Sequence, residues 1–210
     1  DDDARGGMAQ RKGGYAKRPN EFFPSPPWII DALAEHVKID GLSVWEPAAG
    51  GGDMARALVA CGASVRETDL IPEERPRSFD RAASVDFLSA RQPVESGIEA
   101  IITNPPFSLG TQFIAKGLEF LRGKTAVRLV AFLFAVDFDS AKGRTALFAD
   151  CEEFAMKIAL LRRIKWFEGP SGPSTNHAWF VWQRLDSTRP HGPVLRWAPR
   201  TTDHVDLGDL

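Results

Sequence analysis

Short apolar segments alternate with segments of helical periodicity along most of this chain. The apolar segments have the length of β-strands, and most are followed directly by a helical segment. Strands that alternate with helices favour a parallel sheet with helices on its faces, because each helix returns the chain to the edge where the next strand begins. The expected strands cover 42–45, 63–67, 82–85, 98–102, 127–136, 156–164 and 178–183, and the expected helices cover 28–37, 54–61, 113–121 and 140–149.

The last two expected strands, 156–164 and 178–183, have no helical segment between them. Their connection contains Gly169-Pro170-Ser171-Gly172-Pro173, which is typical of a loop. Two strands joined in this way form an antiparallel hairpin, which we place at one edge of the sheet. The sequence therefore predicts an α/β fold with seven mostly parallel strands and one antiparallel edge strand.

Two terminal segments lack the periodicity of the rest of the chain. Residues 1–20 are rich in Gly, Arg and Lys and are expected to form a mobile basic arm, either as a solvated terminus or as a segment that binds phosphate groups. Residues 186–210 contain three prolines and are expected to form an irregular tail. One folded domain is expected between them, at 21–185.

Composition excludes several classes of protein. The formal net charge is −2, so contact with nucleic acid requires a local basic patch. The longest apolar run, 129–136, has eight residues and is too short to span a bilayer, and no signal peptide is apparent. Cys61 and Cys151 form neither a disulfide framework nor a metal cluster. We expect a soluble cytoplasmic protein that binds no metal.

A glycine-rich turn follows the first expected strand, within Val44-Trp45-Glu46-Pro47-Ala48-Ala49-Gly50-Gly51-Gly52-Asp53. Its glycines allow a sharp turn and a close approach of a ligand to the main chain. Asp69 lies nineteen positions after Gly50, where a carboxylate can accept hydrogen bonds from both hydroxyls of a ribose. Asp86 and Phe87 end the third strand and offer an acceptor and an apolar wall to an adenine. These strand ends predict a nucleoside site.

Each of these features alone is equally typical of a turn or a helix cap. Their order at the ends of successive strands favours the nucleoside site. A dinucleotide-binding oxidoreductase is disfavoured, because its third glycine would stand where this chain has Ala55, and it would not need Glu46 and Pro47.

The segment Asn104-Pro105-Pro106-Phe107 follows the fourth expected strand. Its two prolines fix the backbone and remove two amide donors, which leaves the local carbonyls as acceptors. The Asn104 side chain and the Pro105 carbonyl can accept both hydrogens of an exocyclic amine and free its lone pair, while Phe107 stacks on the ring. A rigid loop that ends a strand is the alternative interpretation, which the preceding glycine-rich nucleoside turn disfavours.

Taken together, these motifs resemble those of amino-group methyltransferases that use S-adenosylmethionine. The resemblance is strongest to DNA adenine-N6 methyltransferases of the small phage and prophage type, and it covers about 22–183. It implies a Rossmann-like class I methyltransferase fold with its catalytic domain at 21–185, in the cytoplasm of a bacterial or phage-infected cell. It also implies methyl transfer to adenine N6 in DNA, by base flipping and direct in-line displacement.

The resemblance gives individual residues a role. Ser25 would meet the methionine carboxylate, and Asp69 would meet the ribose hydroxyls. Trp166 or Phe167 would support the extruded base, although packing in the core explains these two residues equally well. The implied cofactor-binding residues are Ser25, Pro26, Glu46, Pro47, Ala48, Gly50, Gly52, Asp69, Leu70, Asp86 and Phe87, and the implied catalytic residues are Asn104, Pro105, Pro106 and Phe107.

The chain departs from the family in two respects. The family's catalytic segment often begins with Asp and ends with Tyr, whereas this one has Asn104 and Phe107, which can still accept hydrogen bonds and stack. There is also no room for a separate target-recognition domain, so sequence preference should be short, loose or supplied by a partner. A basic cluster lies near the penultimate expected strand. Its residues would either contact nucleic acid or protect an edge strand that is exposed to solvent. The cluster consists of Lys157, Arg162, Arg163 and Lys165.

Other functions stay open at the level of sequence. The same chemistry on RNA or on a protein glutamine amide would suit the Asn104 segment, because both present a planar amine. A non-catalytic binding subunit with the same fold is a further alternative. Cytosine-C5 methylation is excluded, since it needs a cysteine nucleophile on a rigid loop, and neither Cys61 nor Cys151 has that setting.

Overall fold

The computed structural model describes residues 23–70, 83–166, 175–185 and 192–199. These residues form one eight-stranded sheet with three α-helices. The strands are β1 (Ser43–Glu46), β2 (Ser64–Asp69), β3 (Ala83–Ser84), β4 (Ala100–Thr103), β5 (Leu129–Ala135), β6 (Phe154–Leu160), β7 (His177–Gln183) and β8 (Val194–Ala198), and the helices are α1 (Trp28–Ala34), α2 (Asp53–Ala60) and α3 (Gly110–Arg122).

The strand order is β3-β2-β1-β4-β5-β7-β6-β8. All neighbouring strands pair in parallel, except that β7 is antiparallel to both β5 and β6. The carboxyl ends of β1, β2, β4, β5 and β6 therefore lie at one edge of the sheet, and β7 begins there. The predicted α/β fold with a mostly parallel sheet is confirmed.

The sheet differs from the predicted one in two details. The antiparallel strand β7 lies inside the sheet, between β5 and β6, and so is not an edge strand. An eighth strand, β8, pairs with β6 in the register Met156↔Val194, within the segment predicted to be irregular. The strand has a weak apolar pattern because most of its side chains are exposed. Its position depends on backbone contacts, which include one of 3.2 Å between His36 Nε2 and the Trp197 carbonyl.

The predicted α-helix at 140–149 is wrong. Two short 3-10 helices, Phe138–Ser140 and Lys142–Leu147, occupy this region. The extended backbone of Ala141, with φ −89° and ψ 131°, separates them. Phe138 and Phe148 anchor the region in the core, while most residues between them are exposed, so no continuous apolar helix face exists there.

The sheet separates two apolar layers. One layer packs against α1 and α2 and includes Ile29, Val44 and Trp179, and the other packs against α3 and includes Trp45 and Phe132. Adjacent residues of a strand project to opposite faces, so Val44 and Trp45 belong to different layers. Strand β5 is buried along nearly its whole length, as expected for a strand at the centre of a covered sheet.

Two buried indole groups have polar partners in neighbouring elements of the fold. The Trp179 Nε1–H donates to the Ile29 carbonyl at 2.7 Å, and the Trp45 Nε1–H donates to Thr68 Oγ1 at 2.9 Å. Such bonds avoid the cost of an unpaired buried donor. Within the described residues, no helix combines the length and the apolar character that a bilayer span requires.

Candidate functional site

The glycine turn connects the carboxyl end of β1 to the start of α2. Gly50 and Gly52 have φ values of 54° and 74°, in the left-handed region that favours glycine, and Gly52 immediately precedes α2. The Ala49 N–H donates to the Thr68 carbonyl at 3.0 Å, which joins the turn to β2. The turn thus has a fixed position beside the end of the second strand.

Asp69 secures the turn from the end of β2. Its side chain is buried, with 3% exposed, and its Oδ2 accepts a hydrogen bond from the Gly50 N–H at 2.8 Å. Leu70, the next residue, is largely exposed, and its carbonyl accepts a hydrogen bond from the Ser84 hydroxyl at 3.2 Å. The structure therefore brings Asp69 and the glycine turn into direct contact.

Two glutamates lie next to each other below the turn. Glu46 and Glu67 are partners in the parallel register of β1 and β2. Burial raises the pKa of Glu46 well above its usual range, and the nearby carboxylate of Glu67 raises it further. Burial also raises the pKa of Glu67, against the opposing charge of Arg56. The sequence motifs do not include Glu67, although its position two residues before Asp69 in a strand places both side chains on one face.

Asp86 and Phe87 follow β3 and differ from the predicted arrangement. The exposed Asp86 carboxylate accepts hydrogen bonds from the Leu88 N–H at 2.9 Å and from the Ser89 hydroxyl at 2.5 Å, so it caps a short 3-10 helix. The Phe87 ring is buried and stacks on Phe113 with centroids 4.8 Å apart. Its ring is thus part of the core and does not offer an open apolar wall.

Asn104 begins the turn at the carboxyl end of β4. Its Nδ2 donates to Ser25 Oγ at 3.3 Å, which orients the amide. Its Oδ1 is buried and has no hydrogen-bond partner within the described part of the chain. Because an unpaired buried acceptor costs about 1–3 kcal/mol, this oxygen is suited to accept a hydrogen bond from a bound ligand.

An aromatic cluster lies beside Asn104 and consists of Phe23, Phe107, Trp166 and His177. Phe107 stacks on Phe23 with centroids 5.4 Å apart, and its centroid lies 5.9 Å from that of His177. The ring centroid of Trp166 lies 5.3 Å from that of Phe23 and 5.2 Å from that of His177. The cluster brings the predicted residues Phe107 and Trp166 together. It adds Phe23, which adjoins the Ser25 segment in sequence, and His177, which begins β7 at this edge.

His177 is expected to make stability depend on pH. Burial lowers its pKa from 6.5 to about 4, so the unfolded chain binds a proton at a higher pH than the folded one. Its contribution is complete above about pH 6.5 and is lost as the pH falls towards 4, by up to about 3 kcal/mol. Urea unfolding at several pH values between about 4 and 6.5 should show stability rising more steeply with pH in the wild type than in His177→Gln, because other groups of the protein titrate in both. A His36→Gln control should retain the slope, and an equal slope in all three proteins would contradict the prediction.

The predicted basic cluster is divided by the structure. Arg162, Arg163 and Lys165 are exposed and follow β6 at the edge that carries Asn104. Arg162 lies over the Trp28 ring at 5.1 Å, and Arg163 donates to Asn176 Oδ1 at 2.9 Å. Lys157 instead forms an ion pair with Asp139 at 2.8 Å and lies over a core phenylalanine, so it is not part of this exposed group. Phe167 and the basic arm at 1–20 lie outside the described residues.

Most of the predicted cofactor-binding and catalytic residues lie at the carboxyl edge of the sheet, whereas Phe87 packs in the core and Lys157 pairs with Asp139. The glycine turn and Asp69 lie at the ends of β1 and β2, next to the Asn104 turn after β4. The other predicted residues of this edge include Pro26, whose carbonyl accepts the Ile29 N–H, and the buried Pro47 and Pro105. Ligands of open α/β sheets bind in such a crevice, outside the carboxyl ends of the strands.

No protein-family model and no curated protein matches this sequence. Solved structures with a similar fold do exist, and their functions are in several cases assigned provisionally. A provisionally assigned RNA methyltransferase from Pyrococcus horikoshii is 14% identical with a TM-score of 0.58, covering 81% of this chain and 91% of its own. A class I S-adenosylmethionine-dependent methyltransferase from Listeria monocytogenes, also provisionally assigned, is 13% identical with a TM-score of 0.53, covering 84% and 64%.

A third structure is the modification subunit of a provisionally assigned type I restriction enzyme from Vibrio vulnificus. It is 13% identical with a TM-score of 0.51, and the match covers 82% of this chain and 49% of that subunit. This chain therefore spans less than two thirds of two of the three structures. At these identities the comparison concerns the fold. The chain has the Rossmann-like fold of class I methyltransferases.

Proposed function

We propose that this protein transfers a methyl group from S-adenosylmethionine to the N6 amino group of adenine in DNA. The buried, unpaired Oδ1 of Asn104, next to the rings of the aromatic cluster, is the observation that carries the proposal. This arrangement places a hydrogen-bond acceptor three residues before an aromatic ring that belongs to the cluster. A planar base with an exocyclic amine has the matching donors and the matching ring.

The glycine turn and Asp69 fit the proposed cofactor. Left-handed glycines let the main chain approach a ligand closely, and the Asp69 carboxylate beside them can accept hydrogen bonds from ribose hydroxyls. In this proposal Ser25 meets the methionine carboxylate, Glu46 and 47–52 surround the methionine part and the ribose, and 86–87 lie near the adenine. S-adenosylmethionine supplies an electrophilic methyl group bound to a sulfonium sulfur.

The protein's own groups would prepare the amine for attack. Asn104 Oδ1 and the Pro105 carbonyl accept the two hydrogens of the amine, which frees its lone pair from the ring. Phe107 stacks on the base and holds the nitrogen in line with the methyl group. Ser25 holds the Asn104 amide in this orientation through the bond of 3.3 Å. A base within a duplex must first be flipped out, at a cost of about a few kcal/mol.

The choice of DNA rests on the resemblance in sequence to DNA adenine-N6 methyltransferases. The fold also occurs in a structure described as an RNA methyltransferase, so the same chemistry on RNA is the principal alternative. The exposed Arg162, Arg163 and Lys165 lie at the edge that carries Asn104 and suit the phosphate backbone of either nucleic acid.

The deciding experiment identifies the methylated base. Purified protein is incubated with S-adenosylmethionine labelled in its methyl group and with unmethylated DNA, RNA or casein as a protein substrate. The acceptors are then digested and the labelled product is identified by chromatography. We expect label in N6-methyladenine from DNA. Label only in RNA or in protein would show that DNA is not the substrate and would identify the other acceptor. Cofactor binding without any transfer would favour a non-catalytic subunit.

A further inference from the structure

We propose that Glu67 is a positioning residue that shares one proton with Glu46, and that the pair loses this proton when the cationic methyl donor binds. The inference rests on the proposed function, because it takes S-adenosylmethionine as the ligand of this edge of the sheet. It assigns a role to a residue that the motifs do not include. It also predicts that donor affinity depends on pH.

The two side chains are adjacent by the geometry of the sheet. Glu46 and Glu67 are register partners of parallel strands, so their side chains project from the same face and lie next to each other. Glu46 has 1% of its surface exposed, and Glu67 has 6%. Each has a buried Oε2 with no hydrogen-bond partner within the described residues. Two adjacent carboxylates that each have an unpaired buried oxygen are costly when both are ionised, and one shared proton relieves this cost.

The charges around the two glutamates favour retention of the shared proton. Asp69 on β2 and Asp53 on α2 add negative charge near Glu46, whereas the backbone N–H of Ala55 stabilises its ionised form. Arg56 on α2 opposes the protonation of Glu67, but it also forms an ion pair with Asp53. The neighbouring strand β4, with the sequence Ala-Ile-Ile-Thr, carries no charged residue. Among these described neighbours, four carboxylates therefore face one guanidinium.

A cationic ligand changes this balance. S-adenosylmethionine carries a sulfonium, an ammonium and a carboxylate, and so has a net positive charge. Its positive charge beside the glycine turn stabilises the ionised pair, which releases its proton to the solvent. The product S-adenosylhomocysteine lacks the sulfonium charge and is neutral overall, so the pair regains a proton from the solvent when product replaces donor. No covalent bond of the protein other than this O–H bond changes in either step.

Isothermal titration calorimetry tests the proposal with both ligands. Titrations are made between about pH 6 and 9 in phosphate and in Tris, whose different ionisation enthalpies report the number of protons released. For the wild type we expect the affinity for S-adenosylmethionine to rise with pH, by up to about tenfold per unit where the pair titrates. The expected release approaches one proton. S-adenosylhomocysteine should show a much smaller dependence.

Glu67→Gln preserves the size of the side chain and removes its titration. It should bind S-adenosylmethionine with an affinity that varies little with pH and with little proton release. Glu67→Asp retains a titrating group and should retain the release. Glu99→Gln is the control, because Glu99 is a half-buried carboxylate of the same sheet that accepts from the Ser43 N–H at the opposite, amino ends of the strands. It should behave as the wild type.

The outcomes separate the two proposals. Equal proton release in the wild type and Glu67→Gln would overturn the shared proton, as would equal pH dependence for the two ligands. Failure of the wild type to bind either ligand would overturn the proposed function itself. Thermal unfolding of each variant identifies a loss of folding, and if Glu67→Gln does not fold, the comparison of the two ligands in the wild type decides.

Discussion

Replacing Asn104 with alanine is expected to lower the rate of methyl transfer to adenine by at least about 10²- to 10³-fold, the usual effect of losing one preorganised hydrogen-bonding group at a reacting centre. The side chain supplies a buried acceptor that has no other partner in the described structure. The affinity for S-adenosylmethionine should change by no more than about twofold, because the cofactor is assigned to the glycine turn and Asp69. Single-turnover transfer to an adenine-containing duplex and calorimetric titration with the cofactor measure the two quantities.

Two further variants show whether the acceptor oxygen is the group that matters. Asn104→Asp retains an acceptor and should retain a substantial part of the rate at about pH 8. Ser25→Ala removes the partner of the Asn104 amide, so it should lower the rate by less than Asn104→Ala does. Undiminished turnover in Asn104→Ala would remove this residue from the reaction. Circular dichroism should show that all three variants are folded.

Replacing Asp69 with alanine is expected to weaken the binding of S-adenosylmethionine by about 10- to 100-fold. A hydrogen bond to a charged group contributes about 1.5–3 kcal/mol, and the variant loses those to the ribose. It also leaves the Gly50 N–H without the Asp69 oxygen that it contacts at 2.8 Å, so the glycine turn loses its side-chain connection to β2. Titration calorimetry with S-adenosylmethionine and with S-adenosylhomocysteine should show similar losses, because both ligands contain the ribose.

Asp69→Asn separates the two roles of the carboxylate. The amide oxygen can still accept from the Gly50 N–H, but the charge that strengthens the bonds to the ribose is gone. We expect a loss of affinity between that of the wild type and that of Asp69→Ala. An unchanged dissociation constant in Asp69→Ala would remove Asp69 from the ribose site, provided that its thermal unfolding shows an intact fold.

Sequence patterns predicted the strands that carry the site more accurately than the periphery of the sheet. Strands β1 and β4 are neighbours inside the sheet, and each is followed directly by a distinctive turn, the glycine turn after β1 and the Asn104 turn after β4. The exposed strand β8 has little alternation of apolar and polar residues. Its position is determined by backbone hydrogen bonds to β6 and not by the burial of its side chains. The apolar residues of the 140–149 segment lie mainly near its ends. Their spacing does not distinguish an α-helix from the two short 3-10 helices that are found there.

The positions of individual side chains in the site agree with the sequence pattern in some cases and differ from it in others. The contact of Asp69 with the glycine turn agrees with the spacing of the two motifs along the chain. The motif predicts that Phe87 lines a pocket, but its ring packs in the core, since a residue after a strand can turn towards either side. Phe23 and His177 come from distant parts of the chain, so their contacts with Phe107 could not be read from any local pattern.

The sequence by itself determined the alternation of strands and helices, the glycine turn and the Asn104 turn. These depend on local backbone preferences and on burial patterns, which are properties of short segments. The tertiary structure alone decided which side chains meet: Asn104 with Ser25, Phe107 with His177, and Glu46 with Glu67. Strand order and register set these contacts, and both result from packing across the whole sheet, where residues far apart in sequence become neighbours.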